Sequence, residues 1–320
     1  MKDKSVDKLL NALNQHFILL GPQRSGNVLL IKKITNLADL DWSGQIPVNT
    51  FRGVFLPSSE KLFDIVGAKL MEPKIDYQST ACVGVNILDL QALTLFEQVF
   101  SRDPFYQKRR RHIFLVGYSA NLPDDYKRYR VFSHNWEENI LEHLIFDVFI
   151  TTTKKGRVKF YSGSERGQLM LEKCRLEYEH IEFAGPISEA GPDKKMLELK
   201  GKLEQSLAKK IWKELDQKCI ACGQCTIVCP TCFCYDVEDY SDPEAAARTR
   251  HWGNCFHHDF SQVAGGRREL DTVKKKIYFW YTHKFVRIPH EYSLPGCVSC
   301  GSCTSACPVG IDIIKVLRAL

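Results

Sequence analysis

A chain of 320 residues with 44% hydrophobic residues has the composition of an ordinary globular protein and room for two domains. Its net charge of +6 is modest and gathers in two runs: Lys108, Arg109, Arg110 and Arg111, then Lys274, Lys275 and Lys276. These read as solvated faces, or as docking points for an acidic partner or nucleotide phosphates, and no helix-turn-helix or RNA-binding signature points to nucleic acid. No apolar run approaches bilayer length, and Asn and Gln interrupt the N-terminal apolar stretch, so neither a membrane span nor an export signal is expected. Thirteen cysteines without such a signal predict a reducing, cytoplasmic location.

In chain order, apolar or β-branched runs at residues 28–31, 83–86, 113–117 and 147–153 predict strands. A Lys-Lys-Gly turn and residues 157–161 complete a hairpin with the fourth run. Between the second and third runs, Leu88, Leu90, Leu93, Leu95, Phe96 and Phe100 space as a helix over residues 87–100 packed on a sheet. Strand, helix and strand in that order predict a parallel pair in a mixed α/β domain, residues 1–190. A Gly-Pro pair at each end of residues 185–192 marks the boundary. This half holds neither a GxGxxG nor a Walker loop, so no nucleotide cofactor is expected of it.

The second domain, residues 191–320, opens with Met196, Leu199, Leu203, Leu207, Ile211 and Leu215, the apolar stripe of one long helix. Ser241, Asp242, Pro243 and Glu244 read as a helix start. After a pause at Ala264, Gly265 and Gly266, another helix is predicted over residues 267–286, stopped by Pro289. A short apolar helix over 311–320 ends the chain.

Within this domain one cysteine spacing occurs twice. Cys219, Cys222, Cys225 and Cys229 stand in CIACGQCTIVCP; Cys297, Cys300, Cys303 and Cys307 stand in CVSCGSCTSACP. The run C-x2-C-x2-C-x3-C-P wraps a [4Fe–4S] cube, with three thiolates on one cluster and the fourth on the other. Cluster one is therefore expected on Cys219, Cys222, Cys225 and Cys307. Cluster two is expected on Cys297, Cys300, Cys303 and Cys229. Zinc has no use for such a run, and disulfides belong to secreted proteins. Pro230 and Pro308 close the two runs, while Gly223 and Gly301 let backbone N–H groups approach the inorganic sulfur. The expected fold is α+β: a mixed α/β domain followed by an α-helical ferredoxin-type dicluster domain. Two such clusters move electrons.

Three further cysteines, Cys232, Cys234 and Cys255, belong to neither run. They read as small apolar residues packed beside a cluster, or as a third metal centre completed by His251, His257 or His258. Cys82 and Cys174 are taken as core residues, and His134, His143 and His180 as structural. No general acid–base constellation is visible, so no catalytic residue is assigned.

The blocks CIACGQCTIVCPTCFCYDVED, RHWGNCFHHDFSQVAGG, HKF and GCVSCGSCTSACPVGIDI, in that order, resemble the dicluster iron–sulfur subunits of cytoplasmic oxidoreductase complexes. The similar members are the β subunit of NAD(P)-linked [NiFe] sulfhydrogenases and the iron–sulfur subunit of anaerobic sulfite reductase. GVNILDLQAL and VFSRDPFYQKRRR extend a weaker likeness into the first half. The resemblance implies an electron relay between a flavin subunit that handles NAD(P)H and a catalytic subunit with a metal site. The chain departs from the family where a Cys-Asp pair would precede the first-half helix, reading Leu88-Asp89, and where a Cys-x-Cys would fall near residues 131–133. The first half then reads as a docking scaffold. Two other functions compete: an iron–sulfur redox sensor, and a subunit that itself reduces sulfur species at Cys232, Cys234 and Cys255.

Overall fold

The computed structural model describes residues 3–67, 69–120, 139–153, 156–187, 194–241 and 246–320. In chain order the strands are β1 (Ile18–Ser25), β2 (Val28–Lys33), β3 (Ser59–Val66), β4 (Lys69–Met71) and β5 (Thr80–Val85). There follow β6 (Ile113–Ser119), β7 (Val148–Thr152), β8 (Val158–Ser162), β9 (Glu179–His180), β10 (Tyr235–Ser241) and β11 (Ala246–Trp252). They divide between two compact units.

The first unit comprises Met1–Phe51, Tyr77–Asp193 and Cys297–Cys300. Its seven-stranded sheet runs β2-β1-β5-β6-β7-β8-β9, with β1, β5, β6 and β7 mutually parallel. Every residue of β6 is buried, which is why that strand reads as an unbroken apolar run. The predicted strand–helix–strand unit is β5, the helix Ile87–Val99 and β6. Asn86 starts the helix, its side chain accepting from the Asp89 backbone N–H. The predicted hairpin is β7–β8, paired from Val148↔Ser162 to Thr152↔Val158. One face of the sheet is covered by the helix Lys4–Asn14, which sets Val6, Leu9, Leu10 and Leu13 against Val83, Phe114, Val116 and Ile150. Beneath the sheet end, buried Asp147 accepts from the Leu115 N–H, the Ser164 hydroxyl and the Arg166 guanidinium.

Leu88 is a packing residue: with Ala92 and Ile46 it seats Val298 and Cys300. Cys82 and Cys174 are core thiols, as expected. Buried His143 meets the Gly185 carbonyl, and His180 pairs with the Ser162 hydroxyl. His134 and residues 131–133 lie outside the described residues. So does much of the predicted boundary, residues 188–193.

The second unit comprises Arg52–Asp76, Lys194–Gly296 and Gly301–Leu320. Three expectations change here. The long helix is two, Lys194–Glu204 and Lys210–Lys218. Between them buried Ser206 turns its hydroxyl onto the Leu203 carbonyl, and the Trp212 indole takes the Ser206 carbonyl that a continuous helix would use. Leu207 consequently faces solvent. Second, Ser241 ends β10 and Ala246 opens β11, while the rest of the predicted helix start, residues 242–244, lies outside the described residues. The Arg248 guanidinium grips the Asp239 carboxylate across this hairpin with both Nε and Nη2. The unit is thus not wholly helical; it holds a four-stranded antiparallel sheet, β10-β11-β3-β4. Third, the helix predicted over 267–286 begins only at Val273, behind a Thr272 cap. Pro289 does not stop it. The path runs Val273–Thr282, a π turn at His283–Arg287, and Ile288–Tyr292, with Pro289 in the first turn of that last helix. The final helix is Ile313–Arg318, capped by Asp312.

Candidate metal centre

The two cysteine runs fold alike. In the first, Ala221 and Gly223 take left-handed backbone angles, φ 53° and 73°; in the second, Ser299 and Gly301 do so at 60° and 77°. These angles turn each loop back on itself, and a four-residue helix follows each glycine, Gln224–Ile227 and Ser302–Ser305. The turns aim backbone amides at sulfur. Ala221 N–H donates to Cys219 Sγ at 3.4 Å, Ser299 N–H to Cys297 Sγ at 3.4 Å, and Ile311 N–H to Cys307 Sγ at 3.3 Å. Such donors suit sulfur that carries negative charge.

Cys219, Cys222, Cys225 and Cys307, the expected ligands of cluster one, line one cavity of about 550 Å³, part of it open to solvent. Cys303 lines it too, with Ile220, Ile277 and Trp280 among the apolar walls. None of the thirteen cysteines is in a disulfide. Among the described residues no three Cys, His, Asp or Glu side chains converge closely enough for a single ion, so these thiolates surround a volume rather than a point. Burial raises the pKa of Cys219, with Cys222 and Cys307 adding like-charge repulsion. Burial likewise raises Cys225. Thiolates crowded together and partly withdrawn from water call for a cation in their midst. The wall supplies a second sign of fit: the Trp280 indole N–H is buried without a hydrogen-bond partner. Inorganic sulfide is the kind of acceptor such a donor lacks.

The fourth cysteine of the first run, Cys229, is buried away from this cavity's lining in a polar nest. Lys284 Nζ donates to Cys229 Sγ at 3.1 Å, to Thr231 Oγ1 at 3.0 Å and to the Gly296 carbonyl at 3.0 Å. Thr231 in turn donates to that carbonyl at 2.8 Å. A hydrogen bond from Cys232, helped by the Lys284 charge, holds the Cys229 thiol well below its ordinary pKa, and the Cys232 thiol correspondingly high. On the other side Arg52 donates through one Nη to the carbonyls of Thr226, Cys229 and Cys232 at 2.8, 3.1 and 3.2 Å, with its guanidinium over the Trp252 ring. Asn254 donates to the Gly223 carbonyl and pins the first loop.

The leftover cysteines lie near one another and near the first run: like charge from Cys234 raises the Cys255 thiol, and like charge from Cys255 raises that of Cys225. Cys232 pairs with Cys229. Cys234 lines a small cleft with Arg250, His251 and Trp252. Cys255 is buried, and that burial pushes its thiol up to about 12. His251 bonds Thr249, and His258 pairs with Asp259 at the surface. Of the basic runs, Arg110 is tied to Glu97, Lys275 to Asp271, and Lys276 to the Phe256 carbonyl. Sequence reasoning missed Arg52, Thr231, Lys284 and Asn254 as parts of the site. Lys284 and Asn254 do fall inside the HKF and RHWGNC blocks, but nothing in either block assigns them a partner.

Residues 218–311 match the family model of a 4Fe-4S dicluster domain. Sulfhydrogenase 2 subunit beta of Pyrococcus furiosus is 26% identical to the chain over 326 residues, covering 97% of this chain and 94% of the relative. F420-dependent formate dehydrogenase subunit beta of Methanocaldococcus jannaschii is 24% identical over 179 residues, covering 49% of this chain and 40% of that relative. No solved structure matches the chain. Among the described residues no helix is long and apolar enough to cross a membrane.

Proposed function

We propose that the chain, which carries a match to a 4Fe-4S dicluster domain and is similar to a sulfhydrogenase β subunit, is a dicluster [4Fe–4S] subunit that relays electrons between two other subunits of an oxidoreductase. One partner is a flavin subunit that exchanges hydride with NAD(P)H. The other bears the catalytic metal, of the [NiFe] hydrogenase or sulfur-reductase kind. The observation that carries the reading is the single cavity lined by Cys219, Cys222, Cys225 and Cys307, ligands drawn from both cysteine runs. In this reading Cys297, Cys300, Cys303 and Cys229 hold the second cluster.

A [4Fe–4S] cube carries one electron at a time and so splits two-electron hydride chemistry into single steps. The chain's own residues position and insulate it. The left-handed loops set the thiolates, the amides of Ala221, Ser299 and Ile311 stabilise charge on sulfur, and the apolar wall keeps water from the cavity's inner side. The relay reading assigns no residue to bond making or breaking and predicts no turnover of a natural substrate by the isolated subunit. The first unit serves as the docking scaffold. That a formate dehydrogenase β subunit is also similar supports a relay role that outlasts changes of catalytic partner.

The test is anaerobic iron and acid-labile sulfide analysis with EPR on the purified, reduced chain. About eight irons and the broadened signal of two interacting cubes support the reading. About twelve irons would move Cys232, Cys234 and Cys255 from packing to ligation. Bound zinc with little iron would sink it. Co-purification then separates the partners: a [NiFe] large subunit for the preferred reading, a sirohaem protein for a sulfite reductase.

A further inference from the structure

Lys284 is 3% exposed, and burying an ammonium is costly unless anions and acceptors replace its water. Its three acceptors, the Cys229 sulfur, the Thr231 hydroxyl and the Gly296 carbonyl, match the three N–H bonds of –NH₃⁺. The fold is built around holding it there. Lys284 sits in the π turn, where the helical register slips by one residue. Its own carbonyl accepts from the Gly296 N–H at 3.1 Å, so the same glycine binds both ends of the lysine. A side chain is impossible at residue 296, because a Cβ would lie 2.5 Å from the Lys284 carbonyl oxygen. The ammonium also lies 5.7 Å from the centre of the Trp280 ring, a wall of the cavity that Cys219, Cys222, Cys225 and Cys307 share.

We propose that Lys284 sets the order of the two reduction potentials: it makes the cluster ligated by Cys229 the more easily reduced, and hence the electron sink of the relay. This rests on the dicluster reading of the two cysteine runs. Reduction adds one negative charge to a cube and its thiolates. A fixed ammonium one hydrogen bond from a ligand sulfur stabilises that charge, more strongly in a low-dielectric interior than in water. Lys284 also acts on Cys225 of the other set, but through space and without a hydrogen bond to its sulfur, so the potential of that cube rises less. Lys284 is a tuning residue, not a catalytic one.

The test is a redox titration followed by EPR on the full chain, wild type against Lys284→Met and Lys284→Arg, each with iron and sulfide counted. The expected result is that Lys284→Met keeps about eight irons and that the higher of the two midpoints falls by at least the equivalent of tenfold in equilibrium constant, 59 mV for one electron. The lower midpoint should move less, and Lys284→Arg, which keeps the charge, should stay nearer to wild type. Unmoved midpoints, or movement confined to the lower one, would overturn the proposal. If Lys284→Met sheds iron, wild-type chain labelled with ¹⁵N at the lysine ε-nitrogens decides by pulsed EPR of the reduced clusters. A ¹⁵N coupling is expected from a nitrogen one hydrogen bond from a ligand sulfur; its absence overturns the proposal as well. A wild-type chain without about eight irons would fail at the earlier step, the dicluster reading itself.

Discussion

Arg52 shows how much a single charge can organise in an iron–sulfur loop. Three carbonyls in and just after the first cysteine run, those of Thr226, Cys229 and Cys232, turn onto one guanidinium nitrogen, and Trp252 covers its face. Replacing Arg52 by Met keeps the stem and orphans those carbonyls. The expected cost is about 3 kcal/mol of stability, since buried bonds to a charged donor are worth about 1.5–3 kcal/mol and an unmade one costs a similar amount. Denaturant titration of the folded chain would read it, with faster loss of iron in chelator. None of this was legible beforehand, because Arg52 stands far from residues 226–232 in sequence and no local pattern announces a capping guanidinium. The cysteines were legible for the opposite reason. Their spacing is imposed by the geometry of what they bind, so it survives in the sequence without help from the fold.

Among the elements, the paired loops permit a comparison that separates backbone strain from packing. Gly223 and Gly301 hold nearly the same left-handed angle, but only the first is crowded: a Cβ on Gly223 would lie 2.0 Å from Asn254 Nδ2, whereas one on Gly301 meets nothing within 4 Å. Gly301→Ala should therefore cost about 1–2 kcal/mol, the price of the backbone angle, and leave iron content near wild type. Gly223→Ala adds displacement of Asn254 from the loop it pins, and iron should fall from about eight towards four. The π turn offers a second test. Burial, with Lys284 and Arg287 adding like charge, pushes His283 down to about 4. As pH falls below about 6.5 the unfolded imidazole takes up a proton that the folded one refuses until near pH 4. The unfolded chain then binds more protons, so stability drops on acidification across that window, by up to about 3 kcal/mol. His283→Phe, which keeps an aromatic ring beside Phe233 and Phe279, should flatten the fall of Tm with pH. Periodicity found the helix Ile87–Val99 and the β7–β8 hairpin because their packing partners lie close in sequence. It failed at Ser206, where a side-chain hydrogen bond overrode it, and the helix-start motif misled at Ser241, which pairs with Ala246 in the sheet.

For the whole molecule, the division into units does not follow the chain. A cut at residue 190 looks natural in the sequence, yet Arg52–Asp76 groups with the second unit and supplies β3 and β4 to its sheet, while Cys297–Cys300 groups with the first. Strand pairing over such a separation leaves no local mark, since β-propensity is decided by neighbours the sequence does not place. The energetic consequence is sharp, because the Arg250–Glu60 ion pair is buried on both sides, 8% and 4% exposed, with Nη2 and Oε2 2.6 Å apart. A fragment of residues 191–320 would keep Arg250 and lose Glu60, leaving a buried charge unpaired at about 3–5 kcal/mol, and would lose Arg52 as well. That sum approaches the whole stability of an ordinary domain, about 5–15 kcal/mol. The fragment, although it carries all eight cluster cysteines, should bind fewer than half of the irons of the full chain and melt without a cooperative transition. Restoring residues 52–76 through a linker ahead of residue 194 should recover both iron content and cooperativity. A bare 191–320 fragment that folds cooperatively with a full complement of iron would show that the cysteine runs shape their own surroundings, and that Arg52 and Glu60 are accessories to a centre that stands without them.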